Sequence, residues 1–196
     1  MKKAKILHET QYEIDRFKIT KAEIELERGK GKTAHFQRSK IEREDAAAVV
    51  LYDKSKDVFH FIRQFRYPVE GRTKSYLLEL VAGKIDKAGE DPIKTAIRET
   101  EEEAGFVVPK KNMRLLCSFF ASPGYTTEKY HLFLAQVSEE DRKTKGGGLE
   151  AENEYISMES LSRKDYFERC NKGEIEDAKT LLAGLWLQQM QTFSLL

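Results

Sequence analysis

Glu99, Glu102 and Glu103 lie three and four residues apart in the stretch Arg98-Glu99-Thr100-Glu101-Glu102-Glu103-Ala104-Gly105-Phe106. On a helix, those offsets bring side chains together on one face. Three carboxylates so placed repel one another, and a solvated helix gains nothing from them. A hard divalent cation removes the penalty, and oxygen ligands on a rigid helix are what Mg²⁺ or Mn²⁺ selects. The pattern also has a bland explanation, because Glu is a good helix former and Glu-rich surface helices are common. Glu101 reads as part of such a solvated face.

The flanking residues decide between the two. Asp91 is suited to cap a helix N-terminus and Pro92 to occupy its first position. Gly105 supplies the left-handed residue that ends it. These signals predict a helix of about three to four turns. Before it, Ala82 to Glu90 forms a loop carrying Gly83 and Gly89, fed by a strand over Ser75–Val81. A glycine loop, a capped helix, an Arg-Glu pair and an acidic cluster therefore fall in one compact unit.

That unit resembles the Nudix box, in which Gly, five residues, Glu and seven residues precede Arg-Glu-apolar-X-Glu-Glu-X-Gly-apolar. Arg98 to Phe106 fits the second half, with Thr100 in the apolar place, and Glu90 stands at the required distance before Arg98. Six residues separate Gly83 from Glu90 rather than five, which reads as one inserted residue near Ala88. The resemblance extends to the subfamily of ADP-ribose and related nucleotide-sugar pyrophosphatases. It is carried by Glu79-Leu80-Val81-Ala82-Gly83, Ser122-Pro123-Gly124 with Glu128, Gly148-Leu149-Glu150-Ala151-Glu152-Asn153-Glu154, and Gly173-Glu174-Ile175-Glu176-Asp177-Ala178-Lys179-Thr180.

The resemblance implies a Nudix-type α/β/α sandwich with a mixed sheet, preceded by an N-terminal antiparallel β-sheet that swaps between the subunits of a homodimer. The division expected is 1–44 for that sheet and 45–196 for the hydrolase domain. It implies Mg²⁺-dependent (or Mn²⁺-dependent) hydrolysis of the diphosphate linkage of ADP-ribose or a related nucleoside diphosphate sugar. The expected metal ligands are Glu99, Glu103, Glu102, Glu154 and the carbonyl of Ala82. Arg98 is expected to orient the carboxylates. The base comes from the acidic loop, with Glu152 the first choice and Glu154 then on the metal side. Arg66 and Glu128 are candidates for phosphate and ribose contacts, Arg being suited to bidentate phosphate binding. Gly124 lies in the same turn as Glu128. Phe17 or Arg16, and Arg38 or Ser39, fall where the subfamily reaches the base. Two alternatives stay open: a GDP-mannose pyrophosphatase, whose members share these segments, and a non-catalytic module that senses ADP-ribose.

Along the chain, Ile6–Ile14, Phe17–Glu27 and Thr33–Arg43 show strand-like alternation around a turn at Arg28–Lys32. Such a hairpin buries little alone and needs a partner surface. Ala46–Tyr52 and Val58–Arg66 read as buried strands, with His60 more a structural residue than a catalytic one. Strands follow at Met113–Phe120, Tyr130–Val137 and Tyr155–Met158. Gly146-Gly147-Gly148 reads as a flexible segment. Ser160 or Ser162 caps a helix to Asn171, and Asp177–Phe193 forms the last, with Leu181, Leu182, Leu185, Trp186 and Met190 as its apolar stripe and Trp186 in the core.

The 196 residues are 40% hydrophobic, enough for one domain with a real core. The net charge of +1 comes from 34 basic and 33 acidic residues, intermixed, so duplex nucleic acid is not expected as a partner. Cys117 and Cys170 have no metal-site spacing and read as buried or half-buried thiols, in keeping with a cytoplasmic location. No apolar run reaches a membrane span, and Met1-Lys2-Lys3-Ala4-Lys5 leads into no apolar signal core.

Overall fold

The structure, a computed structural model, describes residues 3–29, 31–86 and 89–192, apart from the side chains of residues 152, 191 and 192. Ala88, the expected site of the inserted residue, and Phe193 lie outside the described residues. The chain forms two compact units, Met1–Asp45 with Phe120–Lys129, and Ala46–Phe119 with Tyr130–Leu196.

In the first unit, β1 (Ala4–Ile14), β2 (Phe17–Gly29) and β3 (Lys32–Glu42) form an antiparallel sheet in that order. Asp15 and Arg16 make the first turn, with Asp15 at φ +52°, a conformation Asp tolerates by bonding its own backbone. Every residue of β1 is exposed, Ile6 and Ile14 included. The segment after Phe120 joins this unit through backbone bonds. Ile41 N donates to Tyr125 O at 2.7 Å, and Thr127 N donates to Ile41 O at 3.1 Å.

The second unit is built on β4 (Ala46–Asp53), β5 (Val58–Phe65), β6 (Tyr76–Glu79), β7 (Val81–Lys84), β8 (Met113–Phe120), β9 (Lys129–Val137) and β10 (Ser157–Ser162). The order is β10-β5-β4-β9-β8, with β6 added to β5 and β7 to β4. β4 and β9 run parallel, so the sheet is mixed. β4 is buried along its whole length, as a strand covered on both faces must be. Its alternate residues serve different layers. Ala48, Val50 and Tyr52 pack with Tyr166 of α2 (Arg163–Lys172) and Leu187 of α3 (Ala178–Thr192). Ala47, Val49 and Leu51 pack with Ala96 of α1 (Pro92–Ala104) and with Phe106. The result is helix, sheet, helix, the α/β/α sandwich expected.

Three local expectations are corrected. Ser75–Val81 is not one strand. β4 and β5 pair only at Leu51–Asp53 and Val58–His60, then splay apart. β6 fills the opening on β5 and β7 fills it on β4, so the chain changes partner at Leu80. In α3, the buried residues include Thr180, Ala183 and Leu187, while Trp186 is 40% exposed and Leu185 is exposed too. This helix has apolar residues nearly all round, so periodicity alone did not select the face that docks. Strand β10 also begins later than expected, at Ser157, and runs to Ser162, whose side chain caps α2.

Candidate active site

Helix α1 starts and ends as its residues require. Asp91 Oδ1 accepts from Ile93 N at 3.2 Å, Pro92 follows, and Gly105 at φ +77° returns its N–H to Glu101 O. Thr100, in the apolar place, is fully buried and donates its hydroxyl to Ala96 O at 2.7 Å. The helix backbone thus satisfies a hydroxyl that burial would otherwise orphan. Glu101 is exposed, as expected.

The same helix buries two carboxylates. Glu99 is 7% exposed and Glu103 2%. Glu103 Oε2 accepts from Ala82 N at 3.0 Å. The N–H and C=O of an extended residue leave by the same edge of the strand, so the Ala82 carbonyl faces away from β4 on the edge that Glu103 occupies. Gly83 makes this approach possible, since a Cβ there would lie 1.8 Å from Glu99 Oε1. Arg98 stands at the rim, with Nη2 2.8 Å from Glu99 Oε1, Nη1 2.8 Å from Glu102 Oε2, and a longer contact of 3.3 Å to Asp86. Burial pushes the Glu99 carboxyl up to about 7, against the pull of Arg98, with Glu102 and Glu154 adding to the rise. Burial raises Glu103 well above the ordinary value, opposed by the Ala82 N–H bond and by Arg66, and reinforced by Glu99 and Glu154.

These groups have the donor chemistry of a hard divalent cation: carboxylate oxygens and a backbone carbonyl, in a place where negative charge is unfavourable without a positive partner. Among the described residues, no three His, Cys, Asp or Glu side chains converge tightly enough to grip an ion as they stand. Arg98 holds Glu99 and Glu102, and the Ala82 N–H holds Glu103.

The glycine segment is not a free linker. Gly147 N donates to Glu103 O at 2.9 Å, Gly148 N to Glu102 O at 3.2 Å, and Lys143 N to Gly105 O at 2.8 Å. The last carbonyls of α1, which lack helical partners, are satisfied by this loop. A Cβ on Gly146, at φ +68°, would lie 2.3 Å from Glu103 O. The loop continues into a short 3-10 turn at Glu150–Glu152. Glu154 is half-buried, accepts from Leu149 N at 3.2 Å, and lies close enough for its charge to raise Glu99 and Glu103. The side chain of Glu152 lies outside the described residues.

Arg66 is engaged from within. Its Nε and Nη2 donate to Glu79 at 2.7 and 2.9 Å. Glu79 also accepts from Lys179, which in turn reaches Asp177. Burial alone would raise Glu79, but Arg66 and Lys179 hold it below the ordinary carboxylate value. Sequence reasoning missed Glu79, Lys179 and Asp177 as a group; the available signal was that both segments carrying them belonged to the family resemblance. His60 is structural, its Nδ1 2.8 Å from Ser160 Oγ and its ring against Phe106.

Glu128, Gly124, Phe17 and Arg38 all fall in the first unit. Glu128 lies 3.6 Å from Arg43. Arg16 and Arg43 approach the Phe17 ring at 5.5 and 6.0 Å. Arg38 and Gly124 line one groove of about 670 Å³, with Ser39, Ile24, Phe120 and Tyr125. Phe17 and Glu128 do not line it.

A family model described as NUDIX domain matches residues 42–179. An ADP-ribose pyrophosphatase of Haemophilus influenzae is 36% identical over 73% of this chain and 66% of its own length. A GDP-mannose pyrophosphatase of Klebsiella pneumoniae is 33% identical over 92% of this chain and 87% of its own. The solved structure of an ADP compounds hydrolase superposes with a TM-score of 0.74 at 21% identity, covering 99% of this chain and 97% of that one.

Proposed function

The chain belongs to the Nudix family, and we propose that it hydrolyses the diphosphate linkage of ADP-ribose or a related nucleoside diphosphate sugar to a nucleoside monophosphate and a sugar phosphate. The observation that carries this reading is the pair of buried carboxylates, Glu99 and Glu103, set against Ala82 and Gly83. Mg²⁺ or Mn²⁺ is the proposed cofactor, held by Glu99, Glu103, Glu102, Glu154 and the Ala82 carbonyl. Bound there, the cation neutralises diphosphate charge and acidifies a water.

The chain's own groups do the rest. Arg98 orients Glu99 and Glu102. Glu152 takes the proton of the attacking water, on the reading that the acidic loop supplies the base. Arg66 holds a phosphate oxygen with the edge of its guanidinium not used on Glu79. Glu128, Gly124, Phe17 and Arg38 serve the ribose and base. Residues 1–44 are proposed as the sheet through which two copies associate, supported by the wholly exposed β1 with Ile6, Leu7, Tyr12 and Ile14. A cytoplasmic location is proposed from the two free thiols.

GDP-mannose is the second substrate reading, favoured by relatives of that name that match about nine-tenths of the chain. The test is a substrate panel of ADP-ribose, GDP-mannose and UDP-glucose with Mg²⁺, run beside Glu99→Gln, Glu103→Gln and Glu152→Gln. Turnover abolished by EDTA and by the helix substitutions is expected. Full rate in Glu152→Gln would remove it as the base, and tight binding without turnover under any divalent metal would favour a sensor.

A further inference from the structure

Lys179 is 6% exposed, yet it carries an ammonium into the interior of its unit. Its Nζ donates to Glu79 Oε2 at 2.5 Å and to Asp177 Oδ1 at 2.9 Å. Glu79 receives Arg66 side-on, Nε at Oε1 and Nη2 at Oε2. Two cations thus face two carboxylates, and the cluster is neutral. Thr180 locks it to the sheet: its hydroxyl donates to Asp177 Oδ2 at 2.6 Å and accepts from Leu80 N at 2.9 Å.

Buried ion clusters are poor devices for stability alone, since well-packed apolar residues often do as well. The geometry points to another use. Side-on pairing leaves the Nη1 edge of Arg66 outside the pair with Glu79, and the Arg66 side chain is 39% exposed. With Lys179 absent, one guanidinium would face two acids, Glu79 and Asp177, and its charge would be spent on them. We propose that Lys179 is a positioning residue: by satisfying Asp177 and the second oxygen of Glu79, it makes that carboxylate a rigid seat and leaves the outer edge and charge of Arg66 to a substrate phosphate. The inference rests on the reading of Arg66 as a phosphate ligand in a diphosphate hydrolase.

The test compares steady-state kinetics of Arg66→Ala, Lys179→Met, and Lys179→Met with Asp177→Asn, which removes one charge of each sign and keeps the cluster balanced. Each is also built in the Arg66→Ala background. Folding is followed by near-ultraviolet circular dichroism, and Mn²⁺ affinity by calorimetry. Loss of one charge-assisted contact made equally in ground and transition states raises KM about tenfold with kcat little changed. That rise is expected in Lys179→Met, and the added Asp177→Asn should bring KM back toward the wild-type value, with Mn²⁺ affinity as in the wild type in both. In the Arg66→Ala background, the same change should add no further rise in KM. Multiplicative effects on KM, a wild-type KM in folded Lys179→Met, or failure of both Lys179 variants to fold would each overturn the proposal. Should the wild type turn over nothing in the substrate panel, the hydrolase reading fails separately. Binding of inorganic pyrophosphate, measured on the same variants, then decides on Lys179 by the same comparison.

Discussion

Replacing Gly83 with alanine separates the site from the fold. A Cβ at Gly83 would lie 1.8 Å from Glu99 Oε1, 1.9 Å from its Cδ and 2.5 Å from its Cγ. Carbon and its neighbours rest at about 3.5 Å, so the carboxylate must retreat by about 1.5 Å. Glu99 ends a long side chain and can move, whereas Gly83 sits in a strand and has no positive φ. Alanine gains about 0.4–1 kcal/mol through the unfolded chain, and a strained Glu99 rotamer costs about 0.5–1.5 kcal/mol. The two nearly cancel, so global stability should change by less than about 1 kcal/mol. Chemistry is less forgiving, since a misplacement of about 1 Å can cost on the order of a hundredfold. Gly83→Ala should therefore keep its melting temperature but weaken Mn²⁺ binding and lower kcat/KM by about a hundredfold. Adding Glu99→Gln should cost little more, because the group is already displaced. A folded Gly83→Ala protein with wild-type Mn²⁺ affinity would refute the placement of Glu99 at the metal.

Gly146→Ala should act on the fold instead, because its Cβ meets the carbonyl of Glu103 at 2.3 Å and its φ is +68°. A backbone oxygen cannot step aside cheaply, and a loss of about 2–4 kcal/mol in urea denaturation is expected; a change under about 0.5 kcal/mol would refute the close docking. Thr100→Val should be neutral within about 1 kcal/mol, because its hydroxyl only returns to the helix at Ala96, and a large loss of melting temperature would show another role. Burial holds His60 below its usual value of 6.5, Asp53 opposing and Arg142 assisting. The unfolded chain then binds the proton first, so the His60 contribution is complete above about pH 6.5 and is lost as pH falls toward the depressed value. His60→Gln should flatten the fall in melting temperature between pH 7.5 and 5, and an unchanged slope would refute this.

Helix α1 was legible because its boundaries are chemical: Asp91, Pro92 and Gly105 specify start and stop without tertiary help. The burial of Glu99 and Glu103 was legible only as a clustering of charge, since depth depends on β7 lying alongside. The break at Leu80 was not legible, because Ser75–Val81 is uniformly strand-like and the change of partner is decided by β4 and β5 splaying apart. Lys179 was hidden for a general reason: lysine is almost always a surface residue unless paired, and its acids lie at Glu79, far along the chain, and at Asp177. For the triglycine, composition reports backbone freedom, whereas the carbonyls that capture it belong to another element.

The partner change at Leu80 carries a consequence for the order of folding. At that step the backbone N–H bonds to no neighbouring strand; it is satisfied by the hydroxyl of Thr180, 100 residues later. The strand that leads into the glycine loop is therefore finished by the last helix. Until α3 has docked, the Leu80 amide has no protein partner other than this hydroxyl to wait for, and water answers it instead. The loop that seats the carboxylates should therefore be among the last parts to be secured, although it lies in the first half of the chain. In a refolding experiment with pulsed hydrogen exchange, the Leu80 amide should gain protection together with α3 rather than with β4 and β9.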